Sequence, residues 1–277
     1  MPPATNKIPC TVAVLTFNSA SGLRRCLESA KEFQEILICD GGSTDETLEI
    51  AKEYGCAVIY QDAQFKDDTG KISDFSGVRN QTLKAASCDW FLILDSDEYL
   101  SSAVVEELAT IIKNDNKQAP KLFQMLRKFE VDGKIIDCAG TYPSYQPRFF
   151  HRNHVLYFAR KLHEKIVPKP RVTYGYTKQA TIVPLTIDIP TMRSKHRYYL
   201  SIEKERSVSL PKSHLLKAII FNLRGAAARW VKIGINFFTC RGNRMPLSFE
   251  WTSTVYSLKL SYDLATILWK KLLTRHP

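Results

Sequence analysis

The sequence predicts an α/β protein with a Rossmann-like, mainly parallel central sheet, followed by an α+β region and a C-terminal helical appendage. Three observations carry that prediction. Within the first hundred residues, short β-rich apolar runs alternate four times with segments of helical spacing, which is how parallel strands with crossover helices are encoded. Three of those runs end close to a polar residue with chemical potential, namely Asn18, Asp40 and Asp95. Beyond Asn114 the alternation stops, and the last third of the chain turns basic and amphipathic.

Thr11–Thr16 reads as a buried strand that enters a loop at Phe17-Asn18-Ser19, and Leu23, Leu27 and Ala30 then mark one face of a helix. Glu35–Cys39 is a second strand. It opens onto Asp40-Gly-Gly-Ser-Thr-Asp-Glu46, where Ser43 and Glu46 have capping-box spacing for a helix carrying Leu48, Ala51 and Tyr54. Ala57–Tyr60 reads as a third strand, Phe75–Ala86 as a helix, and Trp90–Leu94 as a strand apolar enough for the centre of the sheet. Ligands of open parallel sheets sit beyond the carboxyl ends of the strands, so Asn18, Asp40 and Asp95 are expected to line one crevice. After a helix over Ser102–Asn114, Lys121–Glu130 and Lys134–Cys138 suggest a hairpin about Asp132-Gly133. Arg148–Arg152 and Val155–Ala159 suggest further short strands. The expected division is a domain over 1–190 and a basic helical region over 191–277.

Charge supports that division. Residues 1–185 hold 23 Lys/Arg and 23 Asp/Glu, whereas residues 186–277 hold 16 and 5, so the whole net charge of +11 lies in the final third. Such asymmetry implies an anionic partner. His214–Phe238 reads as one or two helices with bases on one face and Trp, Phe and Ile on the other, suited to an anionic membrane surface, where each basic residue contributes about 1 kcal/mol. No nucleic-acid motif accompanies the bases, so nucleic acid is not an expected partner. No apolar run reaches transmembrane length, and the N-terminus lacks the pattern of a signal peptide. Seven scattered cysteines, none at C-x-x-C spacing, suggest neither a zinc knuckle nor a disulfide framework, and fit a reducing cytoplasm.

The sharpest chemical signal is Asp95-Ser96-Asp97-Glu98. Two carboxylates one residue apart at the end of a central strand offer the hard oxygen ligands that Mg²⁺ or Mn²⁺ prefers, with substrate phosphates completing the shell. Asp40-Gly-Gly-Ser43 permits a tight turn, and a helix starting at Ser43 would point amide groups outward. Neither G-x-G-x-x-G nor a P-loop is present, which disfavours a dinucleotide fold or a P-loop NTPase.

Thr16-Phe17-Asn18, Asp40-Gly-Gly-Ser-Thr-Asp-Glu-Thr47, Phe75-Ser-Gly-Val-Arg-Asn80 and Trp90-Phe-Leu-Ile-Leu-Asp-Ser-Asp-Glu98 together resemble the successive blocks of family 2 glycosyltransferases, in particular the bacterial lipopolysaccharide-core glucosyltransferase group. The resemblance covers roughly residues 10–170. It implies a GT-A fold, an inverting mechanism and a UDP-sugar donor. It further implies that Asp40 meets the uracil or ribose, that Thr16 and Asn18 line the nucleotide pocket, and that Arg79 with Asn80 faces the diphosphate. Asp95 and Ser96 would join the nucleotide-sugar site, Asp95 contacting ribose or metal, and Asp97 would hold the metal. Arg148-Phe-Phe-His-Arg152 followed by Leu162-His163-Glu164 is similar to the later, acceptor-side block. This makes Glu164 the candidate base and His163 its orienting group or a metal ligand, with Glu98 and Asp137 as alternatives. The implied acceptor is a lipid-linked or lipopolysaccharide-type glycan, met at the inner face of the cell membrane. Two other readings stay open: a non-catalytic nucleotide-sugar-binding protein of the membrane surface, and an aspartate-dependent phosphotransferase.

Overall fold

The structure is a computed structural model that describes residues 7–68, 70–161 and 164–273. The chain forms two compact units. The first comprises Met1–Lys128 and Pro143–Pro184, the second Phe129–Tyr142 and Leu185–Pro277. A single cut at 190 was expected. The second compact unit joins the hairpin tip, Phe129–Tyr142, to Leu185–Pro277.

In the first unit, β1 (Ile8–Thr16) lies between β2 (Phe33–Asp40) and β4 (Trp90–Asp95), parallel to both, and β3 (Ala57–Tyr60) extends the parallel half. β1 is apolar without alternation because both of its faces are covered. Val12 and Val14 pack with Leu23 and Leu27 of α1 (Ala20–Ala30), whereas Ala13 packs with Phe91, Ile93 and Phe150 on the other side. Leu23, Cys26, Leu27 and Ala30 recur at helical spacing and are all fully buried, each leucine contributing about 1.5–3 kcal/mol. The helices α2 (Thr47–Glu53), α3 (Phe75–Ala85) and α4 (Ser102–Lys113) complete the alternating half.

The antiparallel part is built on β4. Strand β8 (Ser144–His151) pairs with it, setting Leu92 opposite Phe149, and stacks the Phe149 ring on Trp90 at a centroid distance of 4.6 Å. The sheet order is β3-β2-β1-β4-β8-β6-β11-β5, where β6 is Leu122–Val131, β11 is Tyr174–Pro184 and β5 is Tyr99–Leu100. β9 (Val155–Ala159) and β10 (Lys165–Pro168) form a separate antiparallel pair.

In the second unit, β7 (Lys134–Ile135) pairs back on the end of β6, and Asp132 and Gly133 both have positive φ, at 49° and 73°, as a two-residue hairpin turn requires. Three helices follow: α5 (Ile189–Ser207), α6 (Lys212–Thr239) and α7 (Leu247–Leu273). Leu215 of α6 packs on Leu264 and Ile267 of α7. Among the described residues, no helix is long and apolar enough to cross a membrane.

Two expectations are corrected here. The helix after Asp40 starts at Thr47, not Ser43, and Glu46 makes no side-chain cap. The intervening residues are drawn instead into a turn around the Asp40 carboxylate. Secondly, Cys138 and Cys240 form a disulfide that ties the hairpin loop to the end of α6. The two are 102 residues apart and only the fold brings them together, so their spacing carried no signal. Such a bond is at odds with the reducing setting that the scattered cysteines suggested.

Candidate functional site

The loops after β1 and β2 are sewn together by the residues expected to line the crevice. Asp40 is completely buried. Its Oδ1 accepts from Thr16 Oγ1 at 2.8 Å and Ser43 Oγ at 2.6 Å, and its Oδ2 accepts from the Gly42 and Ser43 amides, both at 2.8 Å. Gly42 reaches this turn with φ at +96°, open to glycine at little cost. Burial pushes the Asp40 carboxyl up, but the hydrogen bonds from Ser43, Thr16 and Gly42 outweigh it and hold the group below its ordinary value. Asn18, in left-handed backbone at φ 48°, accepts from the Thr44 amide at 2.8 Å, while its own amide donates to Ser43 Oγ at 2.9 Å. The amides expected to point outward at a ligand are therefore partly turned inward.

At the end of β4 lies a charge cluster. Arg148 donates through Nη2 to Asp95 Oδ2 at 2.6 Å and through Nη1 to Glu98 Oε2 at 3.0 Å. Arg79 of α3 donates through Nη2 to Asp95 Oδ1 at 3.1 Å and through Nε to Glu164 Oε1 at 3.4 Å. Arg127 holds the other oxygen of Glu98, and Gln146 Oε1 accepts from Arg148 Nε at 3.0 Å. Burial raises the Asp95 carboxyl, but the charges of Arg148 and Arg79 prevail and keep it well below the usual carboxylate range. Glu98 is nearly inaccessible, and burial pushes its carboxyl up against the pull of Arg148.

Arg79 is only 5% exposed, and its Nη1 is buried without a hydrogen-bond partner among the described residues. The same guanidinium lines a cavity of about 370 Å³ with Ile93, Gln146, Pro147, Arg148, Phe158, Glu164 and Ile166. An orphaned donor beside a second arginine suits an anionic group with several oxygens. Asp97, by contrast, is exposed and makes no hydrogen bond or ion pair among the described residues. Ser96 Oγ donates to Ser19 Oγ at 3.1 Å. No group of three or more His, Cys, Asp or Glu among the described residues could enclose a metal ion. The donor set fits a hard divalent cation held by one free carboxylate, with phosphate oxygens and water completing the shell.

The structure thus gathers Arg79, Asp95 and Glu164 into one cluster and Thr16, Asn18 and Asp40 into one loop pair. Asn80 turns elsewhere: its amide donates to Phe158 O at 2.9 Å and accepts from Phe158 N at 2.7 Å, clamping α3 to β9. Neighbours on a helix point about 100° apart, and here Arg79 turns to the Asp95 cluster while Asn80 turns to β9. His163 lies outside the described residues. Asp137 belongs to the second unit, where it accepts from the Asn243 amide at 3.1 Å. Sequence reasoning missed Arg148 as a site residue. The available signal was an arginine directly before two phenylalanines in a strand, because a charge so placed must find a partner.

The profile of glycosyl transferase family 2 matches residues 11–201. The SPbeta prophage-derived glycosyltransferase SunS of Bacillus subtilis is 28% identical over 160 residues, covering 56% of this chain and 34% of that protein. The chain thus spans about a third of the length of that relative. The lipopolysaccharide core biosynthesis glycosyltransferase LpsC of Rhizobium meliloti is 23% identical over 222 residues, covering 78% of this chain and 77% of that protein. Among solved structures, residues 1–349 of S. aureus TarS in complex with UDP superpose with a TM-score of 0.45 at 16% identity, over 84% of this chain and 72% of that one. Because the matched stretch spans more than half of the chain and contains every residue of the crevice, the chain belongs to glycosyl transferase family 2 and has its GT-A fold.

Proposed function

We propose that this chain transfers a hexosyl group from a UDP-sugar to a hydroxyl of a glycan-type acceptor, with inversion at the anomeric carbon. The observation that carries this reading is the guanidinium of Arg79, which is buried, has one donor unpaired among the described residues and lines a cavity beside Arg148 at the mouth of β4. Arg79 supplies the donor for the diphosphate, and Asp95, bonded to Arg79 and Arg148, sets the angle of both forks. Asp97 would hold a divalent cation, Mg²⁺ or Mn²⁺, which when bound would neutralise charge on the departing diphosphate. Asp40 acts at one remove: by fixing Thr16, Gly42 and Ser43 it shapes the loop pair that receives the nucleoside. Glu164, half-buried on the cavity wall, accepts the proton of the attacking hydroxyl, and its bond to Arg79 keeps its carboxylate turned inward.

On the acceptor side, we read a lipid-linked or lipopolysaccharide-type glycan met at an anionic membrane surface. Leu216, Ile220, Leu223, Val231, Ile235 and Phe238 form an exposed apolar stripe along α6, flanked by Lys217 and Arg224. That pattern suits a helix lying in an interface.

The test is a UDP-release assay with a panel of UDP-sugars, with Mn²⁺ or Mg²⁺ and then with EDTA. One sugar should give metal-dependent release that Asp97→Ala abolishes. Release of inorganic phosphate without UDP would favour an aspartate-dependent phosphotransferase instead.

A further inference from the structure

The second unit contains a site that the glycosyl-transfer reading does not use. A cavity of about 570 Å³ lies between α5 and α7. Arg193 and Arg197 stand one turn apart on α5, and Trp251, Val255 and Lys259 stand one turn apart on α7, so that each helix contributes one continuous row to the wall. Three cations therefore surround one concavity. Among the described residues, Arg193 and Lys259 have no ion-pair partner, and Arg197 donates only to Ser194 Oγ of its own helix, at 3.2 Å. The flanking acids, Asp188 just before α5, Glu203 on α5 and Asp263 one turn beyond Lys259 on α7, do not line the cavity, and Glu203 lies 3.9 Å from Arg206. His196 lies against the Tyr256 ring at a centroid distance of 4.7 Å, and both line the cavity. Trp251 leaves 54% of its surface exposed at the wall.

Like charges held around one concavity repel each other, and no carboxylate of the lining relieves them. A guanidinium pair spaced by one helical turn matches the oxygens of a phosphate monoester, which Lys259 can approach from the facing helix as a point charge. The aromatic wall offers an apolar surface to the group that carries the phosphate.

We propose that the α5–α7 groove binds a phosphate monoester carried on a sugar ring or on a lipid headgroup, with Arg193, Arg197 and Lys259 holding the phosphate and Trp251 and Tyr256 packing against its carrier. The proposal does not rest on the donor-side reading, because none of these residues belongs to the Arg79–Asp95 cluster.

The test uses the full chain and isothermal titration with glucose 6-phosphate, with glucose as the uncharged control. Flotation with phosphatidic acid vesicles and with phosphatidylcholine vesicles runs in parallel. Saturable binding of glucose 6-phosphate but not glucose, weakened by about tenfold or more in Arg193→Gln/Arg197→Gln, would support a soluble phosphosugar as the source. Flotation with phosphatidic acid alone, lost in the same double variant, would support the lipid headgroup. All of these positions are exposed or half-buried, and a UDP titration of the variant shows that the first unit is intact. The proposal is overturned if glucose 6-phosphate does not bind and phosphatidic acid flotation is no weaker in the double variant than in the wild type, or if glucose 6-phosphate binds as well to the double variant and to Lys259→Gln as to the wild type.

Discussion

Arg148 Nη2 stands 2.6 Å from Asp95 Oδ2, and this contact joins the parallel half of the sheet to its antiparallel half at the point where the crevice opens. The same guanidinium reaches the buried Glu98, so Arg148 bridges two carboxylates that Arg79 and Arg127 also hold. Replacing Arg148 by alanine leaves both partly uncompensated and should lower stability by about 3–5 kcal/mol, measured by urea unfolding. Arg148→Lys keeps the charge but loses the fork, and should fall between alanine and wild type.

Stability should fall on the acid side. Asp95 and Asp40 are held below their ordinary values, so each contributes stability that is present above its unfolded pKa, about 3.9, and is lost as pH drops through the folded value. Glu98 works in the opposite sense. Its raised value gives stability that is present below the unfolded pKa and lost as pH rises through the folded one, so it offsets part of the loss. Urea unfolding from neutral pH to about pH 3 should show a steeper fall for wild type than for Asp95→Asn. Parallel curves would refute the assignment.

The Cys138–Cys240 bond closes a loop of 102 residues in sequence. Cys240→Ser should lower the unfolding free energy of the second unit by about 2–4 kcal/mol. Reductant should lower the melting temperature of wild type and leave the variant unchanged. Burial pushes the Cys39 thiol up to about 12 and Cys56 to about 11, so neither should react with a thiol reagent in the folded protein at neutral pH.

Asn80 separates two roles that the sequence placed together. Asn80→Ala removes both bonds to the Phe158 backbone and should cost about 1–3 kcal/mol of stability, with the affinity for UDP unchanged. A loss of UDP affinity with unaltered stability would return Asn80 to the diphosphate.

The parallel strands, their order of use and the crevice at their ends were legible because each depends on local pattern. A run such as Val12–Val14 is apolar on both faces only where helices cover both sides. Asp95 and Asp97 were legible as a motif, but their different fates were not: one carboxylate is claimed by two arginines from distant segments, and the other has no partner among the described residues. Arg148 lies 53 residues from its partner, and nothing in local spacing announces that pairing. β11 escaped notice because Tyr174, Lys178 and Gln179 break the alternation of a half-buried strand, and its irregular burial follows. The start of α2 was misplaced because Ser43, a good capping residue, is used as a donor to Asp40 instead.

The measurement that bears most directly on the central claim is a titration of UDP into wild type and Asp97→Ala, with Mn²⁺ and with EDTA. Wild type should bind UDP saturably and more tightly with Mn²⁺, and the variant should retain only the metal-independent part. Failure of wild type to bind UDP under either condition, or a metal effect that survives in Asp97→Ala, would contradict that claim.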